Sequence, residues 1–196
     1  MRIIGGQFKS RIISMPKGVD IRPTQDKVRE AIFNILGDMS GKRVLELFAG
    51  SGAFGIEAIS RGASAVTFVD NNFKCAATIR ANLEALGIDR AFYEIARLNA
   101  ISATAKLAKE NDKFDIIFLD PPYHQDLAKK CLINMDACDI LAPIGIVLVE
   151  HFKKDIIPTD FKTLVFERDK KYGDVIISIY RRIYDKSEDS NLSGNV

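Results

Sequence analysis

Val44-Leu45-Glu46-Leu47-Phe48-Ala49-Gly50-Ser51-Gly52-Ala53-Phe54-Gly55 is the stretch that decides how this chain folds. The apolar run Val44 to Phe48 has the length and composition of a buried strand. It runs into glycines spaced G-x-G-x-x-G (Gly50, Gly52, Gly55), and a helix follows over Gly52 to Arg61. Glycines at such a turn let the backbone bend sharply and approach a ligand with no Cβ in the way, while the new helix offers N–H groups. Twenty residues past Gly50, Asp70 ends a second apolar strand, Ala65 to Val69, placed to accept hydrogen bonds from two ribose hydroxyls. Strand, glycine turn, helix, strand and carboxylate together point to a ligand that contains adenosine.

Outward from this unit the alternation continues. Helices are predicted over Phe73 to Leu86, Ala100 to Glu110 and Leu127 to Cys138, with strands over Ala91 to Ala96, Phe114 to Leu119 and Ile144 to Glu150. Such alternation gives βαβ units, hence an α/β, Rossmann-like fold with a mostly parallel sheet covered on both faces. The last strands, Phe161 to Glu167 and Asp174 to Arg182, are joined by a short loop containing Lys170, Lys171 and Gly173 and form a C-terminal antiparallel hairpin. Before the sheet, Arg2 to Ser14 reads as a short hairpin. Thr24 reads as the N-cap of a helix reaching Leu36, with Val28, Ala31, Ile32, Ile35 and Leu36 at helical spacing. The chain divides into a basic extension (1–40), an α/β domain (41–184) and a polar, Ser- and Asn-containing tail (185–196) expected to be disordered.

A chain of 196 residues that is 47% apolar suits one domain with a sizeable core. Its longest nearly unbroken apolar run, Ile140 to Val149, is about half of what a membrane-spanning helix needs, so a soluble, cytoplasmic protein without a membrane partner is expected. Cys75, Cys131 and Cys138 form no C-x-x-C pair, so neither a disulfide framework nor a metal site is indicated. Net charge is only +2, yet Met1 to Arg43 carries nine Lys or Arg against four acids. A basic arm on a near-neutral body suits engagement of phosphates, and Arg2, Lys9, Arg11, Arg22, Lys27 and Arg29 are the candidate contacts; a solvated charged face is the alternative.

The adenosine signal alone does not separate NAD from S-adenosylmethionine. Glu46, four residues before the first glycine, favours the latter, because a carboxylate suits an amino-acid end and a sulfonium charge better than a pyrophosphate. The reaction type is carried by Asp120-Pro121-Pro122-Tyr123 at the end of the fourth strand. Two prolines fix the backbone and turn the local carbonyls outward as acceptors. An amine on a base has two hydrogens and a lone pair delocalised into the ring. If the Asp120 carboxylate and the Pro121 carbonyl each accept one hydrogen, the nitrogen is held pyramidal with its lone pair aimed at the sulfonium methyl. Tyr123 is placed to stack on the flipped base. A plain strand-terminating turn is the other reading of Asp-Pro.

With these residues the chain resembles class I amino-methyltransferases, and more closely the bacterial 16S ribosomal RNA guanine-N2 methyltransferase family called RsmD-like, of the guanine-966 type. The likeness spans nearly the whole length: Arg2-Ile3-Ile4-Gly5-Gly6, Arg22-Pro23-Thr24, Asp26 through Asn34, Leu47 through Gly52, Asp120 through Tyr123, Glu150, and Tyr172-Gly173. The first two stretches are the specific ones; the glycine turn and Asp-Pro-Pro-Tyr are shared by many amino-methyltransferases. The resemblance implies that Glu46, Phe48, Ala49, Gly50, Ser51 and Gly52 cradle the methionine half of S-adenosylmethionine. It further implies that Asp70 and Asn71 serve the ribose, Asn99 and Ala100 the adenine, and Thr24 the cofactor carboxylate. Asn99 stands where the family usually has Asp, and Glu46 where it more often has Asp.

The implied activity is methylation of guanine N2 in 16S rRNA, within an assembling 30S particle, by a monomer. Adenine-N6 or cytosine-N4 methylation is the runner-up within the class. An NAD-dependent oxidoreductase and a non-catalytic RNA-binding assembly factor are readings from other classes. His124 and His151 take ordinary polar roles, and Lys153, Lys154, Lys170, Lys171, Arg181 and Arg182 either extend the RNA surface or are simply solvated.

Overall fold

The computed structural model describes residues 1–19, 26–123 and 126–183. Arg22, Pro23, Thr24, His124 and the polar tail lie outside the described residues. The helix expected from Thr24 is described as α1, Asp26–Leu36. The elements that follow are β1 (Arg43–Leu47), α2 (Ala53–Ser60), β2 (Ala65–Val69), α3 (Phe73–Ala85), β3 (Tyr93–Ala96), α4 (Ala100–Lys109), β4 (Phe114–Leu119), α5 (Leu127–Ala137), β5 (Leu141–Phe152), β6 (Leu164–Tyr172) and β7 (Val175–Arg182).

The seven strands form one sheet in the order β3-β2-β1-β4-β5-β7-β6, parallel from β3 to β5 and antiparallel where β7 meets β5 and β6. Alternation splits the core. Val44, Val66, Phe68, Phe118, Leu148 and Ile177 face the N-terminal arm, α1, α2 and α3, whereas Leu45, Leu47, Ile117, Leu119, Val147 and Tyr180 face α4 and α5. Strand order reverses between β1 and β4, so the crevice beyond their C-terminal ends is where this architecture binds ligands.

Two sequence-based boundaries shift. Strand β5 starts at Leu141, before Pro143, because a register irregularity between Phe114 and Ile116 lets β4 pair with Leu141 and then with Ile146. Lys170 and Lys171 are not in a loop. They belong to β6, whose pairing with β7 runs through Lys171↔Ile176 to Tyr172↔Val175 around a turn at Gly173. Edge strand β6 is mostly exposed and charged, a composition that discourages pairing with another chain.

The N-terminal arm is a hairpin with a bridge between Arg2 and Ile12, and it is part of the core: Ile3 and Ile13 are buried with Val28, Ile32 and Phe33. Its fastening centres on Glu57 of α2, a fully buried carboxylate. Glu57 accepts from the backbone N–H groups of Ile4 and Gly5, both at 2.7 Å, and from Arg61 Nε at 2.8 Å, with Arg29 Nε 3.8 Å away. Arg29 is therefore not on the RNA surface assigned to it by charge. It is 1% exposed, donates to the Arg2 carbonyl and pairs with Asp26. The approach of arm to helix demands glycine at position 6: φ is +73°, and a Cβ there would fall 1.7 Å from the Ser60 carbonyl oxygen.

Candidate active site

The turn after β1 is tight and strained. Phe48 takes φ of 61°, a region bulky side chains rarely adopt, and Gly50 and Gly52 follow at 56° and 76°. Gly52 gives α2 no side-chain cap, and the helix is capped instead by the preceding strand. The Glu46 carboxylate accepts from the N–H groups of Phe54 (3.3 Å) and Gly55 (2.9 Å). Gly55 makes this possible, since a Cβ there would lie 2.4 Å from the Phe68 ring and 2.8 Å from Glu46 Oε2. Burial pushes the Glu46 carboxyl up to about 8 against the lowering effect of those two N–H groups. Asp70 is only partly buried; its Oδ2 accepts from Gly50 N and its Oδ1 from Asn72 N, each at 2.8 Å. A carboxylate offers about four acceptor positions, so beyond these two N–H groups and the neighbouring Cys75 thiol Asp70 retains acceptor capacity for a hydroxyl.

Leu47 pairs with Leu119, so the glycine turn and Asp120-Pro121-Pro122-Tyr123 leave the sheet side by side, joined by the Asp120 N–H and the Leu47 carbonyl at 3.4 Å. Between them opens a cleft of about 340 Å3 lined by Val19, Phe48, Gly50, Asp70, Asn71, Asn72 and Cys75 on one side and by Asp120 to Tyr123 on the other. A smaller cavity under the turn is bounded by Glu46, Phe48, Ala49, Gly50, Ser51 and Asp120 together with Met1, Met15 and Arg29. The structure thus brings Glu46, Phe48, Ala49, Gly50, Ser51, Asp70, Asn71 and Asp120 to Tyr123 around two adjoining spaces.

Gly52, Asn99 and Ala100 line neither space. The Asn99 side-chain Oδ1 caps α4 by accepting from Ser102 N at 2.8 Å, and Ala100 is buried against the α4–α5 side of the sheet. Sequence reasoning missed Met1, Met15, Val19 and Cys75 as lining residues; no local motif marks them. His151 is held at Nδ1 by the Phe152 carbonyl (3.1 Å) and at Nε2 by Ser178 Oγ (2.8 Å), which accords with the ordinary polar role given to it.

The match with known proteins is extensive. Residues 1–181 fit the model of the family described as Conserved hypothetical protein 95. Ribosomal RNA small subunit methyltransferase D of Escherichia coli K12 is 32% identical over 93% of this chain and 90% of that protein. The chain belongs to this RsmD-like methyltransferase family. A further relative, YlbH of Bacillus subtilis, which carries a provisional rRNA methyltransferase name, is 39% identical over 93% of this chain and 99% of its own. The solved structure of yhhF from Escherichia coli superposes with a TM-score of 0.80 at 30% identity, covering 94% of this chain and 99% of that one.

The cofactor of the family is S-adenosylmethionine, and the residues present fit it. In a dinucleotide site the N–H groups at the start of the helix face the pyrophosphate. Here the Glu46 carboxyl already occupies those of Phe54 and Gly55, so they are closed to a pyrophosphate. The ammonium of an amino-acid end suits that carboxyl, whose ionised form it favours, and Asp70 suits a ribose.

Tyr123 closes the cleft in a fixed orientation. Its hydroxyl donates to Oε1 of the buried Glu150 at 3.1 Å, and its ring lies 6.0 Å from that of Phe152. Tyr123→Phe and Glu150→Ala are each expected to lower kcat/KM for the nucleic-acid substrate by about three- to tenfold, the worth of one such bond. The double variant should be less impaired than the product of the two single losses, since the Tyr123–Glu150 bond is counted in both. Fully additive losses in steady-state kinetics would contradict the pairing.

Proposed function

We propose that this chain transfers a methyl group from S-adenosylmethionine to the exocyclic N2 amine of a guanine in 16S ribosomal RNA, of the guanine-966 type. The setting is an assembling 30S particle in the cytoplasm, and the enzyme acts as a monomer. The observation that carries the reading is the position of Asp120-Pro121-Pro122-Tyr123, facing Asp70 and Gly50 across one cleft. The small-subunit rRNA named for the Escherichia coli relative supports the substrate.

S-adenosylmethionine, when bound, supplies a methyl already activated on a sulfonium. What is left to the protein is position and electrostatics. The Asp120 carboxylate and the Pro121 carbonyl each accept one N–H of the base amine, and Tyr123 stacks on the base, a contact worth about 1–3 kcal/mol. Arg2, Lys9, Arg11 and Lys27 are exposed and take phosphates, as does Arg22 from the sequence pattern. Thr24 serves the cofactor carboxylate, again from the sequence pattern.

The same two acceptors serve any exocyclic amine, which keeps adenine-N6 and cytosine-N4 methylation as the second reading. Nucleoside mass spectrometry of methylated RNA separates them. The expected product is N2-methylguanosine; N6-methyladenosine alone would rule out the guanine assignment.

Glu46 adds a pH signature. A cofactor ammonium beside the carboxyl favours its ionised form and so lowers its affinity for the proton below the value of about 8 in the free protein. Binding then releases a proton, and affinity rises as pH increases toward about 8. Calorimetric affinity for S-adenosylhomocysteine is expected to strengthen between about pH 6 and 8, by at most tenfold per unit, and to lose this dependence in Glu46→Gln. A flat wild-type profile would count against contact between Glu46 and the ammonium.

A further inference from the structure

Asn82, on α3, has its side chain buried between two parts of the protein that differ in role. Its Oδ1 accepts from Ser14 N at 2.8 Å, and its Nδ2 donates to the Ser14 carbonyl at 3.0 Å and to the Ser51 carbonyl at 3.1 Å. Both amide hydrogens and the oxygen are thus engaged. The reverse orientation of the amide would set the NH2 against an N–H and the oxygen against two carbonyls, so the contact reads as amide-specific. Ser14 belongs to the basic arm, and Ser51 is the middle residue of Gly50-Ser51-Gly52. One buried side chain therefore joins the arm directly to the glycine turn.

From Ser14 the chain runs on through Met15, which lines the small cavity beside Glu46, to Val19, which lines the main cleft. Where Asn82 holds Ser14 is where that segment begins.

We infer that Asn82 is a positioning residue of the cofactor site, fixing the glycine turn and the Ser14-to-Val19 segment relative to each other and so linking placement of the arm to cofactor binding. The inference rests on the reading of the cleft as the S-adenosylmethionine site. Asn82→Leu keeps the branching at Cγ and the number of side-chain heavy atoms, though it is bulkier, and loses all three bonds. Asn82→Asp keeps an acceptor but turns a carboxylate toward two carbonyls, which favours its protonated form. A protonated carboxyl regains one donor. Because linkage is reciprocal, a ligand seated under the turn also steadies the arm.

The experiment measures S-adenosylhomocysteine affinity by calorimetry, KM and kcat for methyl transfer, and amide hydrogen exchange at Ser14, with circular dichroism to confirm folding. Asn82→Leu is expected to weaken binding and raise the cofactor KM by about tenfold with kcat within about threefold, the pattern of lost ground-state binding. Asn82→Asp should be as weak near pH 8 and recover, relative to wild type, near about pH 5.5. In the wild-type protein S-adenosylhomocysteine should slow exchange at Ser14, a readout that needs no variant to fold. A folded Asn82→Leu protein that binds within twofold of wild type overturns the inference, as does an Asp variant with no acid recovery or an unchanged Ser14 exchange rate. Failure of the wild-type protein to bind S-adenosylhomocysteine overturns instead the cofactor reading on which the inference rests.

Discussion

Asp120→Ala is expected to lower methyl transfer by about a hundred- to a thousandfold, the usual cost of removing one preorganised polar group from the reacting centre. Cofactor affinity should stay within a few-fold, because Asp70, Gly50 and Glu46 are untouched and the backbone bond from Asp120 N–H to the Leu47 carbonyl survives the substitution. Asp120→Asn keeps one acceptor oxygen and should fall between the wild type and the alanine variant. Methyl-transfer kinetics and calorimetry on the same samples check both halves. Unchanged turnover in Asp120→Ala would remove the carboxylate from the chemistry, and a parallel collapse of cofactor binding would reassign it to the cofactor.

Glu57→Ala is expected to be strongly destabilising although it lies away from the reacting centre. It strips the Ile4 and Gly5 N–H groups of their acceptor, takes the carboxylate from Arg61, and removes the buried one of the two carboxylates beside the Arg29 guanidinium, itself 1% exposed, leaving it the exposed Asp26. Breaking one side of a buried pair costs about 3–5 kcal/mol. For a chain of this size that is a fall in Tm of about 6–20 °C. Hydrogen exchange at Ile4 and Gly5 should accelerate as the arm loosens. Thermal melts within about 2 °C of wild type would mean that the arm is held by its apolar contacts, Ile3 and Ile13, rather than by Glu57.

The features legible in the sequence are those written in short range. Strand, glycine turn and Asp70 fall within about one βαβ unit, and the Asp-Pro-Pro-Tyr turn is contiguous, so local pattern sufficed to place them at one sheet edge. The features that were not legible depend on which face a residue presents. Charge counting put Arg29 with the phosphate-binding residues, yet Ile32 and Phe33 stand three and four positions on, the same helical face, and all three are buried. Glu57 lies in a helix that is otherwise apolar up to its last residue, Ser60, and Asn82 shares its face with Cys75, Ile79 and Leu83. A polar residue on a buried face needs a partner, and here the partners, Ile4, Gly5 and Ser14, are about 50 to 70 residues away in the chain. The residues that turn a generic cofactor fold into one with a fixed arm are therefore the ones a window along the sequence does not connect. The end of β6 was misread for a related reason: Lys170 and Lys171 look like loop residues until β7 supplies the pairing that extends the strand.

The most direct test of the central claim is transfer of labelled methyl from S-adenosylmethionine to naked 16S RNA and to 30S particles that lack the modification, followed by mapping of the labelled base. The expected result is label on N2 of a single guanine, with 30S-derived particles the better substrate and no label from the Asp120→Ala protein. Label on adenine or cytosine, or none on either RNA from a wild-type protein that binds the cofactor, would contradict the account.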